Sequence, residues 1–181
     1  MTESHTIATF LFLKYNYFYQ TNINILSIFI SNMKNIQIMK KRIFCDMDDT
    51  LCHFEKAFHK AVELNPKQPY PQSQWGFFLG LEPYNGAIEG FRKLEEKYDL
   101  WILTKPSTKN LNCYTEKAKW IYDYFGQDIV DKLIICPDKT LLKGDYLIDD
   151  KIWSGFEGEQ LHFGSEKFPD WETVVDYLMN K

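Results

Sequence analysis

The stretch Phe44-Cys45-Asp46-Met47-Asp48-Asp49-Thr50-Leu51 puts two carboxyl groups at i and i+2 directly behind a short apolar run. Acids in that spacing, where a strand gives way to a loop, leave the sheet together and can turn toward one cavity. A carboxylate can attack phosphorus, but its charge repels a phosphate monoester unless a cation stands beside it. A second carboxyl two residues on can protonate the leaving oxygen and later take a proton from the attacking water. A second acidic pair, Asp149-Asp150, follows the apolar run Tyr146-Leu147-Ile148. Either pair alone is better explained by a solvated turn or a helix cap, where Asp is common. Two such pairs at two strand ends, with a threonine and a lysine at two others, are harder to explain by turns. Magnesium suits the cluster, since it takes hard oxygen ligands and binds through few carboxylates, waters and substrate phosphate.

These side chains need a sheet to carry them. Arg42 to Asp46, Leu100 to Thr104, Leu133 to Cys136, Tyr146 to Asp149 and Gln160 to Phe163 are short apolar runs that predict five strands. Helical spacing recurs in Glu55 to Leu64, stopped by Asn65-Pro66, and in Gly86 to Tyr98. It recurs again in Tyr114 to Phe125, closed by Gly126, and in Asp170 to Met179, capped by Asp170. Strands alternating with helices predict a doubly wound, Rossmann-like parallel α/β sheet with right-handed crossovers, which places both acidic pairs on one side of the sheet. Pro66 to Pro83 contains Pro69 and Pro71 as well as Trp75, Phe77 and Phe78, and reads as a compact irregular insertion.

A chain of 181 residues with 45% apolar residues holds one core and a small insertion. The net charge of -4 gives no basic field to hold a nucleic-acid polymer by counterion release, although it leaves a single nucleotide open. Cys45, Cys52, Cys113 and Cys136 form no CxxC pair and no zinc spacing, and read as reduced thiols of a cytoplasmic protein. His53 and His59 have no ligand spacing either. Residues 1–38 differ from the rest: rich in Asn, Ile, Phe and Tyr, they match neither a secretory signal nor a membrane span. They are read as a disordered or mis-assigned extension, with the domain opening at Met39, or at Met33.

The ordered set of motifs resembles the haloacid dehalogenase superfamily of phosphatases. Asp46-Met47-Asp48-Asp49-Thr50-Leu51 is similar to its first motif, Ile102-Leu103-Thr104 to the second, Lys139 to the third and Asp149-Asp150 to the fourth. The resemblance spans Lys41 to Lys181 and implies that Asp46 is the nucleophile, that Asp48 is general acid and base, and that Thr104 and Lys139 hold the phosphoryl oxygens. It also implies Mg2+ bound by the Asp46 carboxylate, the Asp48 main-chain carbonyl and Asp150, with Asp149 the alternative ligand or a residue just behind it. Lys143 is a rival for the third-motif lysine, and a solvent-facing role is preferred for it.

A finer resemblance is to the 5′(3′)-deoxyribonucleotidases, through Phe54, Leu81-Glu82-Pro83-Tyr84-Asn85-Gly86-Ala87, Tyr114 to Trp120 and Leu147 to Lys151. It implies that Lys117 serves the phosphate side of the substrate and that Phe54 helps to enclose the base. Three departures stand out: Asp49-Thr50 replaces a typical Gly-Val, Lys105 replaces a serine after the second-motif threonine, and the insertion is shorter. Lys105 is grouped with the phosphate-side residues. Within the insertion, Trp75 is the candidate for stacking on a base. The expected protein is therefore a phosphatase domain over 39–181 with a cap insertion at about 54–83. Its expected activity is magnesium-dependent release of phosphate from nucleoside monophosphates through an aspartyl-phosphate. The alternatives are a phosphatase for another small phosphomonoester and a non-catalytic phosphate-binding module.

Overall fold

The computed structural model describes residues 40–181, so the expectation for residues 1–38 lies outside the described residues. Five strands, β1 (Arg42–Cys45), β2 (Asp99–Thr104), β3 (Leu133–Ile135), β4 (Tyr146–Asp149) and β5 (Glu159–His162), make one parallel sheet in the order β3-β2-β1-β4-β5. Four longer helices accompany them, α1 (Phe54–Leu64), α2 (Ala87–Lys97), α3 (Cys113–Phe125) and α4 (Trp171–Met179), with a four-residue helix at Gln127–Val130 directly after α3. All nine expected elements are present, with end positions shifted by no more than a residue.

The central strand β1 buries Ile43, Phe44 and Cys45 on both faces, which is why its sequence is continuously apolar rather than alternating. The chain steps outward from β1 to β2 and β3, then returns to the other side of β1 for β4 and β5. The connections on either side of β1 therefore diverge at the β1/β4 boundary, and a crevice opens beyond the carboxyl ends of those two strands.

The two faces of the sheet are covered differently. Ile43, Cys45, Leu100, Ile102, Tyr146 and Ile148 pack with the buried stripes of α2, α3 and α4. Phe44, Leu103 and Leu147 point the other way and are covered by Leu142, Trp153 and Phe156. Among the described residues that second face carries loops in place of helices. The connection at 136–145 carries only the 3-10 turn Lys139–Leu141, and that at 150–158 carries no helix.

Helices α2 and α4 approach closely at Gly90, where a Cβ atom would lie 2.8 Å from Cε3 of Trp171 and 3.1 Å from Cγ2 of Val175. Trp171 is buried and its indole N–H donates to the Thr50 carbonyl at 2.9 Å, so the ring has little freedom to retreat. Gly90→Ala is expected to destabilise the domain by about 1–3 kcal/mol through overpacking. A wild-type midpoint in urea denaturation would show instead that the ring gives way.

The insertion between α1 and α2 holds two short 3-10 turns, Pro71–Ser73 and Phe78–Gly80, and is fastened to α3 and the loop before it. The buried Glu116 carboxylate accepts from the backbone N–H groups of Gly76 and Phe78, both at 3.0 Å. The Asn110 amide donates to the carbonyls of Gln72 and Gln74 at 3.2 and 3.3 Å, and the Trp120 indole donates to Leu81 at 2.8 Å. No helix among the described residues is long and apolar enough to cross a membrane.

Candidate active site

Asp46 stands one residue beyond β1, and its N–H continues the ladder by donating to the Ile148 carbonyl at 2.9 Å. The next residues wrap around the Met47 carbonyl, which accepts from the N–H groups of Leu51 and Cys52 at 2.9 and 3.0 Å. This tight loop turns Asp46 and Asp48 to the same side. It also forces Asp49 to a φ of 52°, a left-handed conformation that Asp tolerates better than most residues and that glycine adopts freely. That strain accounts physically for glycine being typical there in the family the motif resembles. Asp49 adds something glycine cannot, since its Oδ1 accepts from the Glu55 N–H at 2.8 Å. A carboxylate thus sits on the first turn of α1, whose cap residue His53 makes no side-chain bond of its own.

Two buried lysines organise the acids. Lys139 Nζ lies 2.5 Å from Asp46 Oδ1 and 2.6 Å from Asp149 Oδ2. Lys117 Nζ lies 2.7 Å from Asp48 Oδ2 and donates to Thr104 Oγ1 at 2.7 Å. Each acid of the first pair therefore has its own cation, delivered from a different element. Asp149 is hydrogen-bonded on both oxygens, because Oδ2 also accepts from the Trp153 indole at 3.0 Å and Oδ1 from the Lys151 N–H at 2.9 Å. Asp150 is less fully engaged. Its N–H donates to Thr50 Oγ1 at 3.1 Å and its Oδ2 is 3.2 Å from Lys151 Nζ, but Oδ1 is buried with no partner, as is Oδ1 of Asp48.

Burial sets the electrostatics of these groups. It raises the Asp48 carboxyl above the ordinary carboxylate range against the pull of Lys117. Burial, followed by the charge of Asp46, pushes Asp149 up to about 6 against the pull of Lys139. For Lys139 burial acts downward, but Asp46 and Asp149 together outweigh it and hold the ammonium above its usual value. Asp49 is pushed up to about 6, by burial first and then by the charges of Asp150 and Asp48 against its bond from Glu55.

This shift at Asp49 has a consequence for stability. A carboxyl whose folded value exceeds its ordinary value of about 3.9 binds more protons folded than unfolded, so its contribution falls as pH rises from about 4 through about 6. Asp49→Asn is expected to flatten that part of the stability–pH curve, measured by denaturation with a chelator present. An unchanged slope would show that Asp49 titrates normally.

The crevice at the strand ends is a cavity of about 350 Å³. Of the residues singled out in the sequence, Asp46, Asp48, Asp149, Asp150, Lys139, Lys105 and Phe54 line it. Thr104 and Lys117 are buried behind that wall and are linked to it through Asp48. Trp75 is not part of the wall: it is 66% exposed, and the insertion presents Gln72 and Phe78 to the cavity instead. Lys143 is 82% exposed beside Glu157 and faces solvent.

Sequence reasoning missed Gln72, Trp153 and the clamp made by Glu116. A signal for Glu116 was present, since Cys113, Glu116, Lys117, Trp120 and Ile121 follow the buried stripe of an amphipathic helix. Two adjacent charges on such a stripe must find partners inside the protein. Trp153 carried no comparable signal. Its indole reaches Asp149 because Gln160 of β5 binds its backbone twice, accepting from the N–H at 2.8 Å and donating to the carbonyl at 2.9 Å.

The donor set fits a hard divalent cation. Carboxylate oxygens of Asp46, Asp149 and Asp150 lie within 4.8 Å of one another. Oδ1 of Asp150 is unpartnered, whereas both oxygens of Asp149 already accept hydrogen bonds.

Residues 67–166 match the family described as 5′ nucleotidase, deoxy (pyrimidine), cytosolic type C protein. A Vibrio phage KVP40 protein grouped by name with the 5′(3′)-deoxyribonucleotidases is 33% identical over 147 residues, covering 78% of this chain and 86% of that protein. The human cytosolic 5′(3′)-deoxyribonucleotidase is 29% identical over 165 residues, 74% of this chain and 78% of that one. The human mitochondrial enzyme is 28% identical, with 74% and 69% covered. Among solved structures, a haloacid dehalogenase-like family hydrolase from Xanthomonas campestris covers 56% of this chain and 64% of its own, at 12% identity and a TM-score of 0.40.

Proposed function

We infer that this chain, which belongs to the 5′(3′)-deoxyribonucleotidase family, is a phosphoric monoester hydrolase that releases phosphate from nucleoside monophosphates. The observation that carries the mechanism is the pairing of two carboxylates two residues apart with two separate buried lysines, Asp46 with Lys139 and Asp48 with Lys117.

In this reading an oxygen of Asp46 attacks phosphorus while the bond from phosphorus to the leaving oxygen breaks. Asp48 gives its proton to that leaving oxygen. Asp48 is the carboxylate partner of Lys117 at rest, and burial, which raises its affinity for protons against the pull of Lys117, suits it to take one up for this transfer. The aspartyl-phosphate is then hydrolysed by water, whose proton returns to Asp48. Lys139 stands beside the nucleophile, where it balances charge on the equatorial phosphoryl oxygens. Lys117, itself held by Thr104, holds Asp48 and supports the phosphate side from behind it, and Lys105 adds a positive charge at the cavity wall.

Magnesium would be held by the Asp46 carboxylate, the Asp48 main-chain carbonyl and Asp150, where it would reduce repulsion between the nucleophile and the phosphate dianion. Asp149 orients Lys139 rather than binding the ion. Phe54 and Phe78 supply the apolar wall for a nucleoside. The four free thiols, three of them buried, agree with a cytoplasmic protein.

The test is phosphate release from a panel of 5′- and 3′-deoxynucleotides, ribonucleotides and sugar phosphates, with magnesium and with chelator. Deoxynucleotide turnover that chelator abolishes is the expected result. Turnover confined to sugar phosphates would assign the site to another small phosphomonoester.

A further inference from the structure

We propose that Gln72 reads the hydrogen-bonding edge of the substrate's base, an inference that rests on the nucleotidase reading of the same site. Gln72 lines the cavity from the insertion, on the 3-10 turn Pro71–Ser73. Its Oε1 is buried without any partner, and its Nε2 makes no hydrogen bond among the described residues. An unpaired acceptor inside a protein costs free energy, so its retention calls for a ligand that completes it.

The turn that carries Gln72 is itself held in place. Asn110, 4% exposed, donates to the Gln72 carbonyl at 3.2 Å and to the Gln74 carbonyl at 3.3 Å, so the backbone of the turn is fixed while the side-chain amide is left unbonded. The last side-chain torsion of glutamine is broad and close to two-fold, so the amide can turn either its carbonyl or its N–H group into the cavity.

Other residues of the wall match the remaining parts of a nucleotide. Asp46 and Lys139 line the same cavity and receive the phosphate in the proposed mechanism. The rings of Phe54 and Phe78 stack on each other at 6.0 Å with 29° between their planes, and both line the cavity as an apolar wall for a base face. Gln72 is the uncharged polar side chain that the insertion adds to that wall, and an amide pairs with the adjacent donor and acceptor that every nucleobase edge presents. A base-free sugar phosphate fills the phosphate end and leaves the amide unpaired.

The experiment compares kcat/KM for the four 2′-deoxynucleoside 5′-monophosphates with that for 2-deoxyribose 5-phosphate in wild type and Gln72→Met. The methionine keeps the length of the side chain and removes both hydrogen-bonding groups. The ratio of nucleotide to sugar phosphate is expected to fall by about 10- to 100-fold for the preferred nucleotide, chiefly through KM. Turnover of the sugar phosphate by the same preparation reports a folded site, and Gln72→Ala carries the comparison if the methionine variant is insoluble. An unchanged ratio for all four nucleotides overturns the role of Gln72 and leaves the nucleotidase intact. Wild-type turnover of the sugar phosphate without any nucleotide, or of neither, overturns the nucleotidase reading and this inference with it.

Discussion

Asp46→Asn is expected to abolish phosphate release while the domain stays folded. The amide has nearly the shape of the carboxylate but neither its nucleophilicity nor its charge. The fold should tolerate the change because Lys139, the buried partner of Asp46, keeps Asp149 at 2.6 Å. A buried ammonium with a remaining counter-charge avoids the full cost of about 3–5 kcal/mol that follows when a buried ion is left alone. Purified Asp46→Asn with normal phosphate release would remove Asp46 from the chemistry. Protein that fails to fold would show that Asp149 does not suffice for Lys139.

Asp48→Asn is expected to damage both activity and stability. Losing proton transfer to the leaving oxygen and from the attacking water should slow turnover by about 10² to 10⁴ or more. A loss below tenfold would take that role away from Asp48. The effect on stability follows from Lys117, which is fully buried and has Asp48 as its carboxylate partner. With an amide at position 48 it keeps only neutral acceptors, including Thr104 Oγ1, and the cost should approach about 3–5 kcal/mol. Two isosteric substitutions two residues apart are therefore expected to differ: Asp46→Asn folds nearly as the wild type, and Asp48→Asn unfolds at distinctly lower urea. Combining Asp48→Asn with Lys117→Met removes both members of the pair and should recover stability without activity. Equal denaturation midpoints for the two single variants would show that Lys117 does not depend on Asp48.

By itself the sequence determined the alternation of strands and helices and the presence of an acidic pair at the end of β1 and another at β4. These features are set by short-range physics, since periodicity marks a buried stripe and Pro66, Gly126 and Asp170 mark element ends within a few residues. Only the tertiary structure decided how the acids are partnered. Lys117 and Lys139 both looked like phosphate-side lysines in the chain. Lys117 reaches Asp48 and Thr104 because α3 packs on the sheet face that carries them, whereas Lys139 reaches Asp46 and Asp149 from the turn before β4. Asp149 and Asp150 are indistinguishable as neighbours in sequence. Trp153, held by Gln160 of β5, engages Asp149 and leaves the Asp150 oxygen unpartnered. Trp75 looked the better stacking candidate in an irregular segment without periodicity, but Glu116 pins the backbone of Gly76 and Phe78 so that Phe78 turns inward and Trp75 stays exposed. The pairings of Lys117 with Asp48, Lys139 with Asp46 and Glu116 with Gly76 and Phe78 join residues tens of positions apart, and the shorter reach of Trp153 to Asp149 depends on β5 lying beside β4, none of which local sequence patterns encode.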